Sequence, residues 1–557
     1  MRTSPTPEGF KVSPYVSNIS KILVVAFILF CAIQAENSGE IFSSLSGILL
    51  QNFKWLLVFS VTGICFFLLY LMLSRYGLVK LGKDDEKPEY SFFSWASMLF
   101  SCGMGVGLIF WSVAEPMWHY MSNPFAPALS DASASTAMQI TFFHWGLHAW
   151  TIYCVVALAV GYFSFRKDLP FALRTTLYPL IGERVFGAIG HSIGIIVIVV
   201  TTFGISQTLA LGVLQINSGL NQVFGISIGL TTQFVILFSL STIATISVVG
   251  GIGKGMRRLS ELNIVLSVIL VLIILSIGPA RYITHTYLEG IGNYVQNFVG
   301  MSLWSDTQKD SGWQNTWTSF YWAWWMTWAP FVGMFIAKIS RGRTIRQLIA
   351  GVLILPTLVT FLWMSVFGGA ALKIEQDARH THEQQVQIVD NQVQTTSTIT
   401  TLQKQATNDI SEPSQQSLNA APFTGGEIVK ATQEDSTLAI FTLFNMLDSG
   451  LLGSILSIMC VIILITYLVT SQDAGTHVLC FLDTLSSKDT AIRLRLIWSL
   501  FITLISAGLL YAGGLKAIQS AVILFGFPIA ILLVLMCIAL MKSLNQELSQ
   551  DANKTEK

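Results

Sequence analysis

The sequence has few charged residues: Asp, Glu, Lys and Arg make up 11% of its 557 residues. A soluble domain carries about 25% of such residues, so this chain lacks the groups that a water-facing surface of its size requires. Its 32 basic and 31 acidic residues leave a net charge of +1, so no overall field favours nucleic acid or an acidic partner. The seven cysteines lie singly, without a CxxC pair or a Cys/His ligand spacing, so we expect buried free thiols.

Long apolar blocks recur along the chain, separated by charged or turn-rich breaks. Blocks of about 18 or more apolar residues are typical of transmembrane helices, and we predict an all-α polytopic membrane protein with about twelve of them. The first block also resembles the apolar part of a signal peptide, but we interpret it as a retained helix. The predicted spans are 20–36, 50–74, 94–117, 137–164, 186–218, 226–248, 259–278, 316–338, 346–371, 451–482, 492–513 and 517–541.

Lys and Arg are concentrated in alternate loops between these spans. Loops 119–136 and 219–225 contain neither residue, whereas the loops on the opposite side are basic. Those basic loops are 75–87, 166–184, 254–258, 341–346 and 488–495. Because basic loops stay in the cytoplasm, the even number of spans predicts a plasma (bacterial inner) membrane protein with a cytoplasmic N-terminal tail, 1–19, and C-terminal tail, 542–557.

Two segments on the predicted external side do not read as membrane spans. Residues 279–313 mix polar and apolar side chains, and within them 288–299 fits an interfacial helix. Residues 374–437 form a polar insertion rich in Gln, Thr and Ser. A segment of that composition buries little apolar area, so we expect the insertion to be poorly ordered.

The third predicted span contains three glycines at alternate positions, Gly103, Gly105 and Gly107. Such a run lets a helix unwind at membrane depth and bring its backbone close to a ligand. Close packing against another helix explains the spacing equally well. Glu115 follows in the same span, where an ionisable group is either functional or near the external interface.

Aromatic residues are concentrated in spans four and eight. In span eight, Tyr321, Trp325 and Trp328 share one helical face, and Trp324 and Phe331 share another. An interfacial aromatic belt does not continue over so many turns. Aromatic faces without neighbouring carboxylates suit a quaternary ammonium group, which needs no hydrogen bond. His144 and His148 in span four have a metal-compatible spacing, but with no third ligand apparent we favour structural histidines.

Span ten carries adjacent hydroxyls, Thr470 and Ser471, followed by Asp473. Polar groups in mid-membrane are costly unless they have a partner or a function. A site for a small cation and an interhelical hydrogen-bond cluster explain them equally well. The spans contain no apparent nucleophile–base pair or metal triad, so we do not expect an enzyme.

These features together resemble the betaine/choline/carnitine transporter family. The most specific piece is the span-eight sequence at 317–335, WTSFYWAWWMTWAPFVGMF, which leads to SRGR at 340–343. Further matching pieces are GMGVG at 103–107, FWSVAEP at 110–116, FHWGLHAW at 143–150, the stretch 250–257, and TSQD at 470–473. The resemblance covers about residues 15–541 apart from the 374–437 insertion.

The resemblance implies a leucine-transporter-like core of two inverted five-helix repeats. The repeats would be 94–278 and 316–541, the latter carrying the insertion, with two peripheral helices in 20–74 and the external segment 279–313 between the repeats. Family members are typically homotrimers embedded in lipid, and each protomer transports by alternating access. The short C-terminal tail lacks the basic character of osmosensing members.

The resemblance also implies a site for substrate and coupling ion. The substrate box would be Trp145, Trp150, Tyr153 and Trp325, beside Gly103, Gly105 and Gly107, with Trp322, Trp324, Trp328 and Phe331 along the pathway. One sodium ion would bind Ser101, Met104, Tyr467, Thr470 and Ser471. A second family sodium site matches only in part, because Ile205 replaces a threonine; its ligands would be Thr201 and Thr208.

The resemblance favours sodium-driven import of glycine betaine, with sodium as coupling ion and no other cofactor. Gly107 matches betaine-type members, whereas choline-preferring relatives often carry an aspartate there. Related zwitterionic or sulfonium osmolytes stay open as substrates. The alternatives are a sodium-independent carnitine or betaine exchanger, a proton-coupled choline importer and, more remotely, a betaine-binding osmosensor.

Overall fold

The computed structural model describes residues 14–34, 37–103, 105–250, 253–407, 422–484 and 491–555, with the side chains at 100–103, 253–257, 389–407 and 551–555 left out. The α-helices in these ranges are α1 Pro14–Ile33, α2 Ser38–Leu73, α3 Phe92–Gly103, α4 Val106–Met121, α5 Asp131–Trp145, α6 Leu147–Gly161, α7 Tyr178–Ile181, α8 Ala188–Phe224, α9 Leu230–Gly250, α10 Gly253–Ile277, α11 Ala280–Leu303, α12 Trp313–Thr316, α13 Thr318–Ile339, α14 Ile345–Met364, α15 Ala370–Thr407, α16 Glu427–Glu434, α17 Ala439–Leu447, α18 Leu451–Thr484, α19 Ile492–Tyr511 and α20 Leu515–Thr555. Short 3-10 turns lie at Arg75–Leu78, Leu173–Leu177, Gly182–Phe186 and Ser436–Leu438, and π turns at Tyr162–Arg166 and Ser365–Gly369.

The described chain is mostly helical, and its one β contact is an isolated bridge between Lys80 and Thr344. Among the described residues, ten helical stretches are long and apolar enough to cross a membrane. The two other predicted spans are α3–α4, which a break divides into short helices, and α13, which is rich in tryptophan. The predicted all-α polytopic membrane protein is therefore confirmed, and each of the twelve predicted spans falls on a described helix. Six cysteines in the described ranges are free thiols, as expected.

Two spans are interrupted by glycine. Between α3 and α4, Gly105 is fully extended, with φ −165° and ψ −178°. Between α5 and α6, Gly146 leaves the helical conformation, and a Cβ there would approach Phe142 O, Phe361 and Tyr294 at 2.6–3.0 Å. The Tyr294 hydroxyl accepts the N–H of Leu147 at 3.1 Å, so a side chain takes over a backbone donor that the break releases. The sequence predicts the first break but not the second.

α13 lies at the centre of the bundle and packs mainly against α6 and α20. Nearly all its side chains are buried, as expected for a helix that is apolar or aromatic on every face. Near the end of α20, Glu547 forms ion pairs with Arg166 and, at 2.6 Å, with Lys167. The C-terminal end of α20 therefore lies on the same side of the bundle as the basic loops.

The polar insertion is more ordered than its composition predicts. α14 continues through the π turn at Ser365–Gly369 into α15, and the insertion ends in α16. The fully buried Glu375 carboxylate accepts backbone N–H groups at the start of α16, from Gly426 at 2.6 Å, Ile428 at 2.8 Å and Val429 at 3.1 Å. The prediction of a poorly ordered segment is wrong for 374–388 and 422–437, because one carboxylate caps a helix across the insertion. Residues 408–421 lie outside the described ranges.

The external segment contains one long helix. α11, Ala280–Leu303, includes the predicted helix at 288–299 and is longer than predicted. Leu288, Val295 and Val299 on α11 are exposed. These side chains, spaced by seven and four, form an apolar stripe suited to lipid contact.

Removing the Glu375 carboxylate should loosen α16. We expect Glu375→Ala to cost about 2 kcal/mol of local stability, because three backbone N–H groups lose their acceptor. Hydrogen exchange followed by mass spectrometry should then run about 30-fold faster in residues 426–434. Glu427→Ala is the matched control, since the one partner of that exposed carboxylate among the described side chains is Lys430. Equal exchange in both variants would contradict the capping role.

Candidate functional site

A cavity of about 320 Å³ lies between the two broken spans and α13. Its walls come from α4, α5, α6, α8, α10, α13, α14 and α18. The lining residues are Gly105, Val106, Gly107, Leu108, Trp145, Ala149, Trp150, Tyr153, Thr208, Ser260, Asn263, Ile264, Trp324, Trp325, Trp328, Phe331, Val332, Phe335, Thr360, Tyr467, Thr470, Ser471 and Ala474. The two sides of this cavity differ in chemistry.

One side, here called the aromatic wall, consists of rings from α5, α6 and α13. The four residues predicted as the substrate box, Trp145, Trp150, Tyr153 and Trp325, all line it. Each is buried, with 5–8% of its surface exposed. The ring centroids of Trp145 and Trp325 are 4.9 Å apart at 73°, and those of Tyr153 and Trp325 are 6.3 Å apart at 78°. Edge-to-face contacts of this kind hold the rings in fixed orientations.

Three of the four predicted pathway residues also line the cavity: Trp324, Trp328 and Phe331. Trp324 stacks on Trp325, with centroids 4.8 Å apart and planes at 11°. Trp322 is the exception. It is fully buried on another face of α13, where it stacks on His148 at 5.4 Å and contacts Phe143. Trp322 therefore does not line this cavity, and its place along the pathway stays a prediction.

The glycines of the third span differ in the space around them. Gly105 and Gly107 line the cavity. A Cβ on Gly105 would have no neighbour within 4 Å among the described residues, whereas a Cβ on Gly107 would lie 2.5 Å from the Trp324 ring. Because position 107 carries no side chain, the Trp324 ring can occupy this space. Gly105 forms the break between α3 and α4. The side-chain environment of position 103 lies outside the described part of the chain.

The opposite side, here called the hydroxyl wall, comes from α8, α10 and α18. The predicted ion ligands Tyr467, Thr470 and Ser471 lie on it. The Thr470 hydroxyl donates to the carbonyls of Thr466 and Tyr467, both at 3.0 Å, which leaves its oxygen lone pairs available. The other two predicted ligands, Ser101 and Met104, fall where the structure describes no side chains, so three of the five are located.

Two polar residues of this wall were missed by the sequence analysis: Ser260 and Asn263 on α10. The Asn263 side-chain oxygen accepts the hydroxyl of Thr466. One turn further along α10, Ser267 bonds the Tyr467 hydroxyl at 3.2 Å. The available signal was the spacing of Ser260, Asn263 and Ser267, which fall on one face of a mostly apolar span.

The pair proposed for a second sodium ion does not form one site. Thr208 lines the cavity, whereas Thr201 is buried outside it and donates its hydroxyl to Val197 O at 2.7 Å. The residues are two turns apart on the continuous helix α8, or about 10 Å along its axis. Because a hard cation contacts its oxygen ligands within about 2.5 Å, Thr201 and Thr208 cannot share an ion in this conformation.

Behind the aromatic wall lies a buried carboxylate, Glu115 of α4. Its Oε2 accepts the Trp145 indole N–H at 2.6 Å and the Tyr321 hydroxyl at 2.5 Å. Its Oε1 faces His144 Nδ1 at 2.7 Å and His119 Nε2 at 3.3 Å. All five side chains are buried, and they join α4, α5 and α13. Glu115 thus links three of the elements that build the site.

Glu115, His119 and His144 also form the group of metal-ligand residues that seemed to be missing from the sequence, with ligand atoms within 4.8 Å of one another. Two ligand atoms on one tetrahedral zinc ion lie about 3.3 Å apart. His144 Nδ1 and Glu115 Oε1 are 2.7 Å apart, which is a hydrogen-bond distance and is too short for two ligands of one zinc ion. The second ring nitrogen of His144 bonds Thr318 at 3.0 Å. The interpretation of His144 as a structural histidine agrees with these contacts.

The fold and the cavity together define a class of protein. It is a polytopic α-helical membrane protein with a small-molecule cavity at its broken helices, which is the general plan of secondary transporters. The sequence matches the family model of the betaine/carnitine/choline family transporters over residues 15–413 and 414–549. The chain belongs to this family, and it is a transporter of the betaine/choline type rather than an enzyme.

Three relatives illustrate the similarity over nearly the whole chain. The glycine betaine transporter OpuD of Bacillus subtilis is 36% identical over 98% of this chain and 97% of its own length. A probable glycine betaine transporter of Desulfitobacterium hafniense is 34% identical, covering 95% and 97% respectively. A glycine betaine/proline/choline/ectoine transporter of Vibrio parahaemolyticus is 34% identical, covering 97% and 89%.

Adding a methyl group at Gly107 should disturb the aromatic wall. We expect Gly107→Ala to cost about 1–3 kcal/mol, because the Trp324 ring must move to admit the Cβ. Thermal unfolding of the purified protein in detergent should show a lower midpoint for this variant. Gly105→Ala is the matched control, since its Cβ meets open space, and a lower midpoint for Gly105→Ala alone would contradict the packing argument.

Proposed function

We propose that this protein imports glycine betaine together with sodium by alternating access. The observation that carries the proposal is a single cavity with an aromatic wall on one side and a hydroxyl wall on the other. A trimethylammonium group is attracted to ring faces without needing a hydrogen bond. Hydroxyl and carbonyl oxygens are the ligands that a small hard cation prefers. The cavity thus offers surfaces for both an organic cation and a metal cation.

The carboxylate of betaine also finds suitable donors in this cavity. The first turn of α4, residues 105–108, lines it, and the free N–H groups at a helix start attract anions. The indole N–H groups of Trp324 and Trp328 are buried without a hydrogen-bond partner among the described residues. We propose that these donors orient the carboxylate while the ammonium group contacts Trp145 and Trp325.

Gly107 supports a zwitterionic substrate over choline. Choline-preferring relatives often carry an aspartate at this position, and it would pair with a cation that lacks a carboxylate of its own. Here a side chain at 107 would collide with Trp324. The named substrates of the relatives agree with betaine, although the Vibrio parahaemolyticus relative is also named for proline, choline and ectoine. Gly103 would add to the unwound segment beside this site.

Sodium would bind where α18 faces the break in the third span. Tyr467 would contribute its carbonyl oxygen, and Thr470 and Ser471 their hydroxyls, with Ser101 and Met104 supplying ligands from the opposite segment. These groups would come from two different elements, α18 and the segment at the break in the third span. An ion held between them would tie these elements together and strengthen substrate binding. That coupling is the reason for proposing symport over exchange or proton-coupled import.

The wider assembly is also a proposal. We propose that the helices form two inverted five-helix repeats, 94–278 and 316–541, with the two helices of 20–74 at the periphery. The protomers would form a homotrimer in the plasma (bacterial inner) membrane, with both termini cytoplasmic. Import of betaine would serve osmoprotection.

Removing one ring of the aromatic wall should weaken substrate binding. We expect Trp325→Leu to lose about 1–2 kcal/mol, or about 5–30-fold in Kd for glycine betaine, because a desolvated cation–π contact disappears. Trp325→Phe keeps a ring at that position and should lose less. Equilibrium binding of labelled betaine to the purified protein measures both. Unchanged affinity in Trp325→Leu would contradict the proposed ammonium site.

Uptake of labelled betaine into proteoliposomes tests sodium coupling. We expect uptake with an inward sodium gradient and little when potassium replaces sodium. Ser471→Ala should raise the sodium concentration for half-maximal uptake about tenfold, on the scale of one lost polar contact to a charged group. Ser457→Ala is the control, because that buried hydroxyl on α18 donates to Gly453 O at 3.0 Å, away from the cavity.

Each outcome of the uptake experiment has a distinct meaning. Equal uptake with sodium and with potassium would favour a sodium-independent exchanger. Uptake of choline driven by a proton gradient would favour a proton-coupled choline importer. Binding of betaine without counterflow would favour an osmosensor that does not transport.

A further inference from the structure

The Glu115 carboxylate is surrounded by hydrogen-bond donors. The Trp145 indole nitrogen can only donate, and the Tyr321 hydroxyl is 2.5 Å from the same carboxyl oxygen. On the other oxygen, the two histidine nitrogens can both be N–H groups if each ring is neutral. His144 then accepts the Thr318 hydroxyl at its second nitrogen, 3.0 Å away. This arrangement gives every contact on the carboxylate a donor, with Glu115 in its ionised, acceptor-only form. His119 Nδ1, on the other side of its ring, is buried without a hydrogen-bond partner among the described residues.

Glu115 is connected to both facing rings of the aromatic wall. Trp145 contacts it directly through the indole N–H. Trp325 is connected through His144, because its indole N–H donates to His144 O at 3.1 Å. The carboxylate is therefore one indole ring away from the cavity that Trp145 lines. The described residues place no Lys or Arg against Glu115, so its charge is balanced by hydrogen bonds alone.

We propose that Glu115 is a specificity-determining positioning residue whose negative charge makes the aromatic wall select a positively charged head group. It does so from behind the ring, without touching the substrate. This inference rests on the proposed function, since it concerns the same ammonium site. The charge on Glu115 would increase the preference for a cation, because ring faces alone provide only part of that preference.

Two physical effects produce this selection. A carboxylate that accepts an indole N–H pushes electron density into the ring, because linked hydrogen bonds polarise one another. The ring face in the cavity then attracts a cation more strongly. The charge itself also acts directly across the ring, because buried surroundings screen a charge less than water does. A neutral group of the same shape gains from neither effect.

The test compares glycine betaine with its carbon isostere, 3,3-dimethylbutanoate. The two compounds share the carboxylate and the three methyl groups, but the isostere has carbon where betaine has the positive nitrogen. Competition against labelled betaine gives the affinity ratio of the two compounds for each variant. We expect Glu115→Gln to lower the preference for betaine about tenfold. Glu115→Asp keeps the charge and should largely retain the preference, even if both compounds bind more weakly.

A purely structural role would give a different result. If Glu115 only holds the helices together, Glu115→Gln weakens both compounds equally and leaves their ratio unchanged, which would overturn the proposal. Tyr321→Phe serves as the structural comparison, because it removes one hydrogen bond to Glu115 and keeps the charge. We expect weaker binding with an unchanged ratio in that variant.

A second variant tests the proposal even if Glu115→Gln does not fold. Trp145→Phe keeps a ring in the wall but removes the N–H that contacts Glu115, so it should lower the preference for betaine. Trp150→Phe is its matched control, because Trp150 lines the same cavity and is not bonded to Glu115 in the described structure. Equal loss of preference in the two variants would overturn the proposal.

The result can be separated from the fate of the proposed function. If the wild type does not bind betaine, the proposed substrate is wrong. The same ratio is then measured with choline and its neutral isostere, 3,3-dimethyl-1-butanol. A wild type that prefers neither cation over its isostere would overturn the charge proposal as well.

Discussion

The structure depends on the need to satisfy backbone hydrogen bonds in apolar surroundings. An uninterrupted helix does this by itself, so the chain crosses the bundle as helices and departs from them only where another group replaces the lost partner. The two glycine breaks, at Gly105 and Gly146, are such departures, and both border the cavity region. At Gly146 the replacement is the Tyr294 hydroxyl. At Gly105 the released backbone faces the cavity, where a ligand can serve. The site thus exists because the helices are incomplete there.

The two walls of the cavity belong to different sets of helices. The aromatic wall stands on α5, α6 and α13, which Glu115 of α4 connects through hydrogen bonds. The hydroxyl wall stands on α8, α10 and α18, where Asn263 and Ser267 connect α10 to α18. Each wall is therefore braced internally. In the proposed alternating-access cycle, the aromatic wall and the hydroxyl wall would each keep their shape while the gap between them changes.

The sequence predicts the helices and the ring faces well, since both follow from the spacing of apolar and aromatic residues along one element. It does not predict contacts between elements. Trp322 has the same composition signal as Trp325, yet it turns toward His148 because α6 covers that side of α13. Glu115 is noticeable as an ionisable group, but its four partners come from three helices. The insertion appears in the sequence as a disordered segment, because Glu375 and the α16 backbone that it caps are about fifty residues apart in the chain.

α14, the π turn and α15 form one continuous helical path. Along this path, Thr360 lies in the cavity wall and Glu375 lies about 22 Å further along the helix axis. Glu375 accepts backbone N–H groups at the start of α16. Ser436, which follows α16 in the chain, accepts the indole N–H of Trp118 on α4. Helix α16 is therefore connected to the cavity wall through Glu375, α15, the π turn and α14. An antibody fragment bound to α16 would restrain the cavity without entering it.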